Sequence, residues 1–400
     1  MPSAGTAPSL YNLIPSLDMI FLDRPYVSDF LLNSLSRSGR AVLRTAFTEE
    51  LARKTARPLL LVNDAEAEER CRSGERLYSN SENALDWMLA HLGDLPLAQS
   101  IRIMKDKAAL RRILGQLDPG FFFREIPAAE LPSTDISAWP CPFILKPSVG
   151  FLSMGVHTIT NAEDWKRALE TVTRDAGLNH FPDSVVNQSC FIAEQYITGD
   201  EYAVDLYFDE QGAPVILNIF QHRFASFEDV SDRLYVTGEA VIRANLPRFT
   251  EWFSKANALI GARNFPAHAE LRVDGEHIRP IEFNPMRFAG LCTTDMAAFA
   301  FGLNTVETWL NGSRPDFDTL LAGREGKTYS MIILDKPRGL PENAVFDYKK
   351  LVSSFQHVLE LRKIDVPELP LFGIIFAETD ERHRNELDRI LKSDLTEFLL

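Results

Sequence analysis

The sequence is poor in the features that mark secreted, membrane-spanning or nucleic-acid-coating proteins. Cysteine is scarce: Cys71, Cys141, Cys190 and Cys292 are the only four in 400 residues, and no two stand in a CxxC pair. That spacing excludes a zinc ribbon or dithiol motif and fits reduced thiols in a cytoplasm. No apolar run approaches the ~18 residues that a bilayer span requires. The opening MPSAGTAPSLYNL lacks a basic region followed by an apolar one, so no secretory signal is expected. Basic residues are outnumbered, 42 Lys and Arg against 56 Asp and Glu, for a net charge of −14. Such a chain has no excess of cations for coating nucleic acid, although a few focused cations can still hold a small anion. No GxGxxG follows the first apolar segment, which argues against a dinucleotide site.

What is present is ordinary globular composition, 45% hydrophobic and 24% charged, with length enough for two to four domains. Residues 1–17 read as a loose Pro- and Ser-rich lead-in. Up to residue 99, the short apolar runs MIFLD (19–23), AVLRTA (41–46) and PLLLVND (58–64) alternate with helical stretches, which predicts a parallel, Rossmann-like sheet. SIRIMKDKAALRRILGQL (100–117) reads as one long basic helix. Residues 100–312 are richer in strands, as in an α+β domain. Residues 313–400 read as a small separate α+β unit with three strands and a charged amphipathic helix at 380–400.

The densest chemistry lies in AHAELRVDGEHIRPIEFNPMRFAG (267–290), where two apolar-alternating arms carry Glu270, Glu282, Asn284 and Arg287. Carboxylate and amide oxygens at strand ends suit Mg²⁺, which takes oxygen ligands and leaves positions for substrate phosphates. An Arg beyond them supplies a fork of donors for a carboxylate or phosphoryl oxygen. Glu282 and Asn284 share a strand face by period two. A two-residue Asp274-Gly275 turn would put Glu270 on the opposite face, so a common site predicts a connection of odd length.

Three segments in series, FILKPSVGFLSMGV (143–156), FIAEQYITGDEYAVD (191–205) and AELRVDG…IEFNPMRFAG (269–290), resemble the ATP-grasp superfamily. NPMRFAGLCTTDM is most similar to its L-amino-acid and dipeptide ligase branch. The resemblance implies a two-subdomain ATP-grasp fold between the Rossmann-like domain and a small C-terminal α+β lid. It implies ATP and Mg²⁺, with Mn²⁺ as a substitute, and ADP-forming ligation of a carboxylate, an amino acid in that branch, to an amine through an acyl phosphate. The implied partners are those small molecules, and a homodimer is left open.

Residue by residue, the resemblance gives Lys146 to phosphate or adenine and Lys107 to phosphate, with Lys105 a rival to Lys107. Gly150 and Ser153 fall in the loop that would cover the triphosphate, where Phe151 and Leu152 stand in place of smaller residues. Glu194, or the backbone at Tyr196 and Ile197, would read adenine, and Glu201 the ribose. Glu270, Glu282 and Asn284 would hold the metal. Arg287 and Lys146 would assist catalysis, with Met286 inserted relative to the commoner Asn-Pro-Arg. Each motif also has a plainer reading: Lys146 as an edge lysine, Glu201 as a solvated turn acid, His222 and His268 as satisfied histidines, Asp205 as structural. Phosphotransfer, acyl-CoA formation and a non-catalytic ATP-binding regulatory module remain open beside the ligase.

Overall fold

The computed structural model describes residues 18–149, 155–175, 187–226, 229, 231–337, 339–340, 344–367 and 369–400. The expected lead-in and most of the expected triphosphate loop, including Gly150 and Ser153, lie outside them.

The three N-terminal apolar runs form β1 (Met19–Phe21), β2 (Ala41–Leu43) and β3 (Leu60–Val62), and a fourth strand not expected from sequence, β4 (Leu77–Ser79), joins them in a parallel sheet of order β3-β2-β1-β4. Polar caps set the helices between them. Ser28 accepts from Leu31 N at the start of Asp29–Ser38, and Gly39 ends that helix in the left-handed region. Thr45 closes a capping box on Ala46–Ala52, which stops β2 at Leu43, short of the run to Ala46 expected from sequence.

The expected long basic helix is two helices, Pro96–Lys105 and Lys107–Leu114. Asp106 divides them. Its backbone is extended and its carboxylate accepts from Ala108 N and Ala109 N, so it caps the second helix.

A four-stranded antiparallel sheet follows, built from β5 (Phe123–Pro127), β6 (Phe143–Val149), β7 (His157–Ile159) and β8 (Asn187–Gln195) in the order β5-β8-β6-β7. Phe143, Leu145, Phe191 and Ala193 turn one face into a core closed by Trp165 and Ala168 of helix Ala162–Asp175. By alternation Lys146, Ser148 and Glu194 take the other face.

The remaining strands are β9 (Asp200–Phe208), β10 (Pro214–Arg223), β11 (Leu234–Thr237), β12 (Phe265–Asp274), β13 (His277–Pro285), β14 (Lys327–Asp335), β15 (His357–Lys363) and β16 (Leu371–Asp380). They make a single eight-stranded sheet in the order β13-β12-β9-β10-β11-β14-β16-β15. The C-terminal strands, expected as a separate unit, therefore continue the central sheet through the β11–β14 pairing. Helix Glu239–Ile260, which strand-rich reading passed over, buries Phe249, Phe253, Ala256 and Ile260 in the core of the large sheet, with Phe249 edge-on to Tyr202 of β9 and Phe253 edge-on to Phe283 of β13. The C-terminal helix is shorter than expected, Asn385–Lys392. Among the described residues no helix is long and apolar enough to cross a membrane.

Candidate active site between the two sheets

The β12–β13 hairpin turns on two residues, with Asp274 paired to His277. That loop is even, not odd. Parity is corrected further along: the ladder runs regularly to Leu271–Pro280, then a bulge skips Ile281 and pairs Glu270 with Glu282. Pro280 has no N–H to give the ladder, and β13 is an edge strand, where a proline is tolerated beside a bulge. The two carboxylates thus face each other directly, with His268 and Asn284 as the next pair.

Their surroundings differ. Glu282 meets Lys107 Nζ at 2.8 Å and accepts from Asn284 Nδ2 at 3.2 Å. Burial opposes its charge, but Lys107 outweighs burial and holds its pKa down to about 2. The same contact outweighs burial of the Lys107 ammonium and raises its pKa. Among the described residues no Lys or Arg forms an ion pair with Glu270; burial, then the charges of Glu282, Glu201 and Asp232, push its carboxyl well above the usual range, against a weaker pull from Arg287. Among the described residues no three His, Cys, Asp or Glu side chains are gathered as metal ligands in this structure. Two carboxylates and the Asn284 amide oxygen fit an ion that completes its shell with water and phosphate, as Mg²⁺ does.

The break at Asp106 sends the two candidate lysines to different acids. Lys107 goes to Glu282, while Lys105 forms a buried ion pair with Glu82 of the N-terminal domain. Lys146 Nζ lies 2.6 Å from Glu194 Oε1, and Arg111 donates to Glu194 Oε2 from Nε at 2.9 Å and Nη2 at 2.6 Å. One carboxylate therefore serves two cations. Burial opposes the Glu194 charge, but Arg111 and Lys146 hold its pKa low. Lys146, with a half share of one anion, is pushed below the usual lysine value by burial and by Lys107 and Arg111. A further anion beside Lys146 would restore the balance.

The hinge segment after β8 is pinned by its backbone. Tyr196 N donates to Pro142 O, and Arg272 Nη1 donates to Ile197 O at 2.8 Å. Gly199 has φ +95°, and a Cβ there would run into the carbonyl of Val273. Only glycine lets the hinge approach β12 so closely. Glu201 accepts from Arg272 Nε on one oxygen and meets His222 Nδ1 on the other, both at 2.9 Å. Beside it an open cleft of about 420 Å³ is lined by Tyr196, Thr198, Gly199, Phe224, Asp229 and Arg272.

Met286 takes up the extra residue before Arg287. It turns left-handed at φ 63°, buries its side chain, and exchanges backbone hydrogen bonds with Pro266 O and Ser79 N. Arg287 then donates from Nε and Nη2 to Glu82 Oε1 at 3.1 and 2.7 Å. The N-terminal domain thereby contributes to the site. Glu82, Arg111 and Arg272 were missed in the sequence. Glu82 follows the helix cap Ser81 and passes for a first-turn acid. Arg272 carried a signal, since period two puts it on the face of Glu270.

Residues 139–295 match the family model of the ATP-grasp domain. Among solved structures, the chain is similar to L-amino acid ligase from Bacillus licheniformis, with 16% identity, TM-score 0.64, and 96% of this chain and 97% of that one covered. It is similar to N5-carboxyaminoimidazole ribonucleotide synthetase from Thermotoga maritima at 12% identity, TM-score 0.63 and 96% and 98% coverage. Biotin carboxylase from Campylobacter jejuni, solved with an ATP complex, gives 10% identity, TM-score 0.64 and 96% and 91% coverage. At these identities the likeness establishes the fold. No curated protein matches the chain.

Proposed function

We propose that this ATP-grasp protein is a Mg²⁺-dependent, cytoplasmic ligase that joins a carboxylate, an amino acid, to an amine through an acyl phosphate, releasing ADP and phosphate. One observation carries the reading: two carboxylates face each other across β12 and β13, one ion-paired to Lys107 and the other, Glu270, with no paired Lys or Arg among the described residues. A partly buried acid with no paired cation is costly for a scaffold and useful to a cation site.

In this reading Glu270, Glu282 and Asn284 hold the ion, which when bound neutralises charge on the nucleotide's phosphates. Lys146, short of anions in the free protein, takes a phosphate oxygen. Lys107 is placed to exchange Glu282 for phosphate once the ion is present. Tyr196 and Ile197 offer hinge backbone to the adenine edge. Glu201, fixed by His222 and Arg272, offers its remaining lone pairs to the ribose. Glu194 acts through Lys146 and Arg111, which it aligns. Gly150 and Ser153 belong to the loop proposed to cover the triphosphate.

The chemistry then needs alignment rather than covalent help. A substrate carboxylate oxygen attacks the γ-phosphorus, the bond to the β-bridging oxygen breaks, and ADP leaves. An amine attacks the acyl carbon, phosphate departs with the bonding pair, and the ammonium gives up its proton. Arg287, held by Glu82 at the edge of the carboxylate pair, is placed to stabilise oxygen charge at that carbon.

The test is product analysis with Mg²⁺·ATP over a panel of amino acids and other acids, alone and in pairs with amines. ADP and phosphate formed only with a particular pair, with an amide of matching mass, are expected. Tight ATP binding with no turnover across the panel would sink the ligase reading.

A further inference from the structure

Asp205 and His268 stand opposite each other on β9 and β12, and the reaction just described uses neither. Asp205 is fully buried. Its Oδ1 lies 2.7 Å from His268 Nδ1 and accepts from Ala289 N at 2.8 Å, while Oδ2 meets no partner among the described residues. A carboxylate on one ring nitrogen fixes the tautomer and orientation of an imidazole. With Nδ1 donating to Asp205, the ring's lone pair lies on Nε2. That nitrogen faces Glu270 Oε1 across 3.8 Å, beyond hydrogen-bonding distance. Among the described residues, neither His268 Nε2 nor the Glu270 carboxylate has a hydrogen-bond partner. Two donors to one small cation, each about 2.1 Å from it, stand ~3–4.2 Å apart for angles between a right angle and a straight line. The gap between His268 and Glu270 falls in that range.

We infer that His268 Nε2 is a nitrogen donor to the divalent ion on Glu270, with Asp205 as the buried carboxylate that positions the ring. The inference rests on the metal reading of Glu270, Glu282 and Asn284. Its chemical consequence is selectivity. An all-oxygen set suits Mg²⁺, and an imidazole shifts preference towards ions that accept nitrogen, such as Mn²⁺ or Co²⁺. His222 does not compete for this role, because its Nδ1 is held by Glu201 and its Nε2 by Ser231 O.

The deciding experiment is electron spin echo spectroscopy on the full chain loaded with Mn²⁺ and ADP. A coupling from a directly coordinated ¹⁴N is expected. It should change when the protein carries ¹⁵N-imidazole histidine and vanish in His268→Gln. Asp205→Asn should weaken Mn²⁺ binding ~10-fold, with a smaller effect on Mg²⁺. Bound Mn²⁺ without nitrogen coupling overturns the role of His268 and leaves the carboxylate site standing. A coupling indifferent to histidine labelling assigns the nitrogen to the nucleotide and likewise overturns it. Failure to bind Mn²⁺ at all removes both readings. Should either variant fail to fold, the labelled wild-type protein still decides.

Discussion

Glu270 lies beside Glu282, Glu201 and Asp232 with no ion-paired Lys or Arg among the described residues, and its raised pKa makes it a burden on the ligand-free fold. The sign follows from linkage. A carboxyl whose folded pKa exceeds its unfolded value, ~4.3, destabilises increasingly as pH rises from that value, and fully above the folded one. Glu270→Gln is therefore expected to raise the melting temperature of the ligand-free protein at pH 8 by about 1 °C, as ~1 kcal/mol would in a chain of 400 residues. The gain should shrink to nothing near pH 4, and Mg²⁺·ATP should no longer add stability. A variant that melts lower at pH 8, with unchanged structure, would show that Glu270 is a structural acid.

Asp106 decides where two lysines go, because it ends one helix and starts the next. Asp106→Ala removes the bonds to Ala108 N and Ala109 N and should cost about 1 kcal/mol. Freed at its first turn, Lys107 should lose its aim at Glu282, raising KM for ATP more than it lowers kcat. Equal loss in both, measured by steady-state kinetics, would argue against that role. Features at this scale were unevenly legible in the sequence. Short apolar runs disclosed three of the four parallel strands but not β4, and period two disclosed the shared face of Glu282 and Asn284. The bulge at Ile281 was not legible as such, since a bulge exists only in the pairing of two strands, although Pro280 in mid-strand marked the place. Asp106 was read as one more polar residue in a basic helix. Helix Glu239–Ile260 was hidden by Pro247 in its interior and by the strands around it.

Across the whole molecule, the cleft draws on parts far apart in sequence. Glu82 comes from the N-terminal domain, Lys146 and Glu194 from the four-stranded sheet, and Glu201, Glu270 and Glu282 from the eight-stranded one. Such long-range company explains why Glu82 and Arg111 escaped the sequence: nothing local sets them apart from other helix acids and bases. The large sheet also has a fixed order of assembly. β16 is an inner strand, bonded to β14 on one side and β15 on the other, yet it follows both in the chain. β15 therefore has no partner in the sheet until residues 371–380 are available to slot in beside it. A released chain truncated after residue 366 should be cut readily within 357–363, and the full-length chain should be protected there.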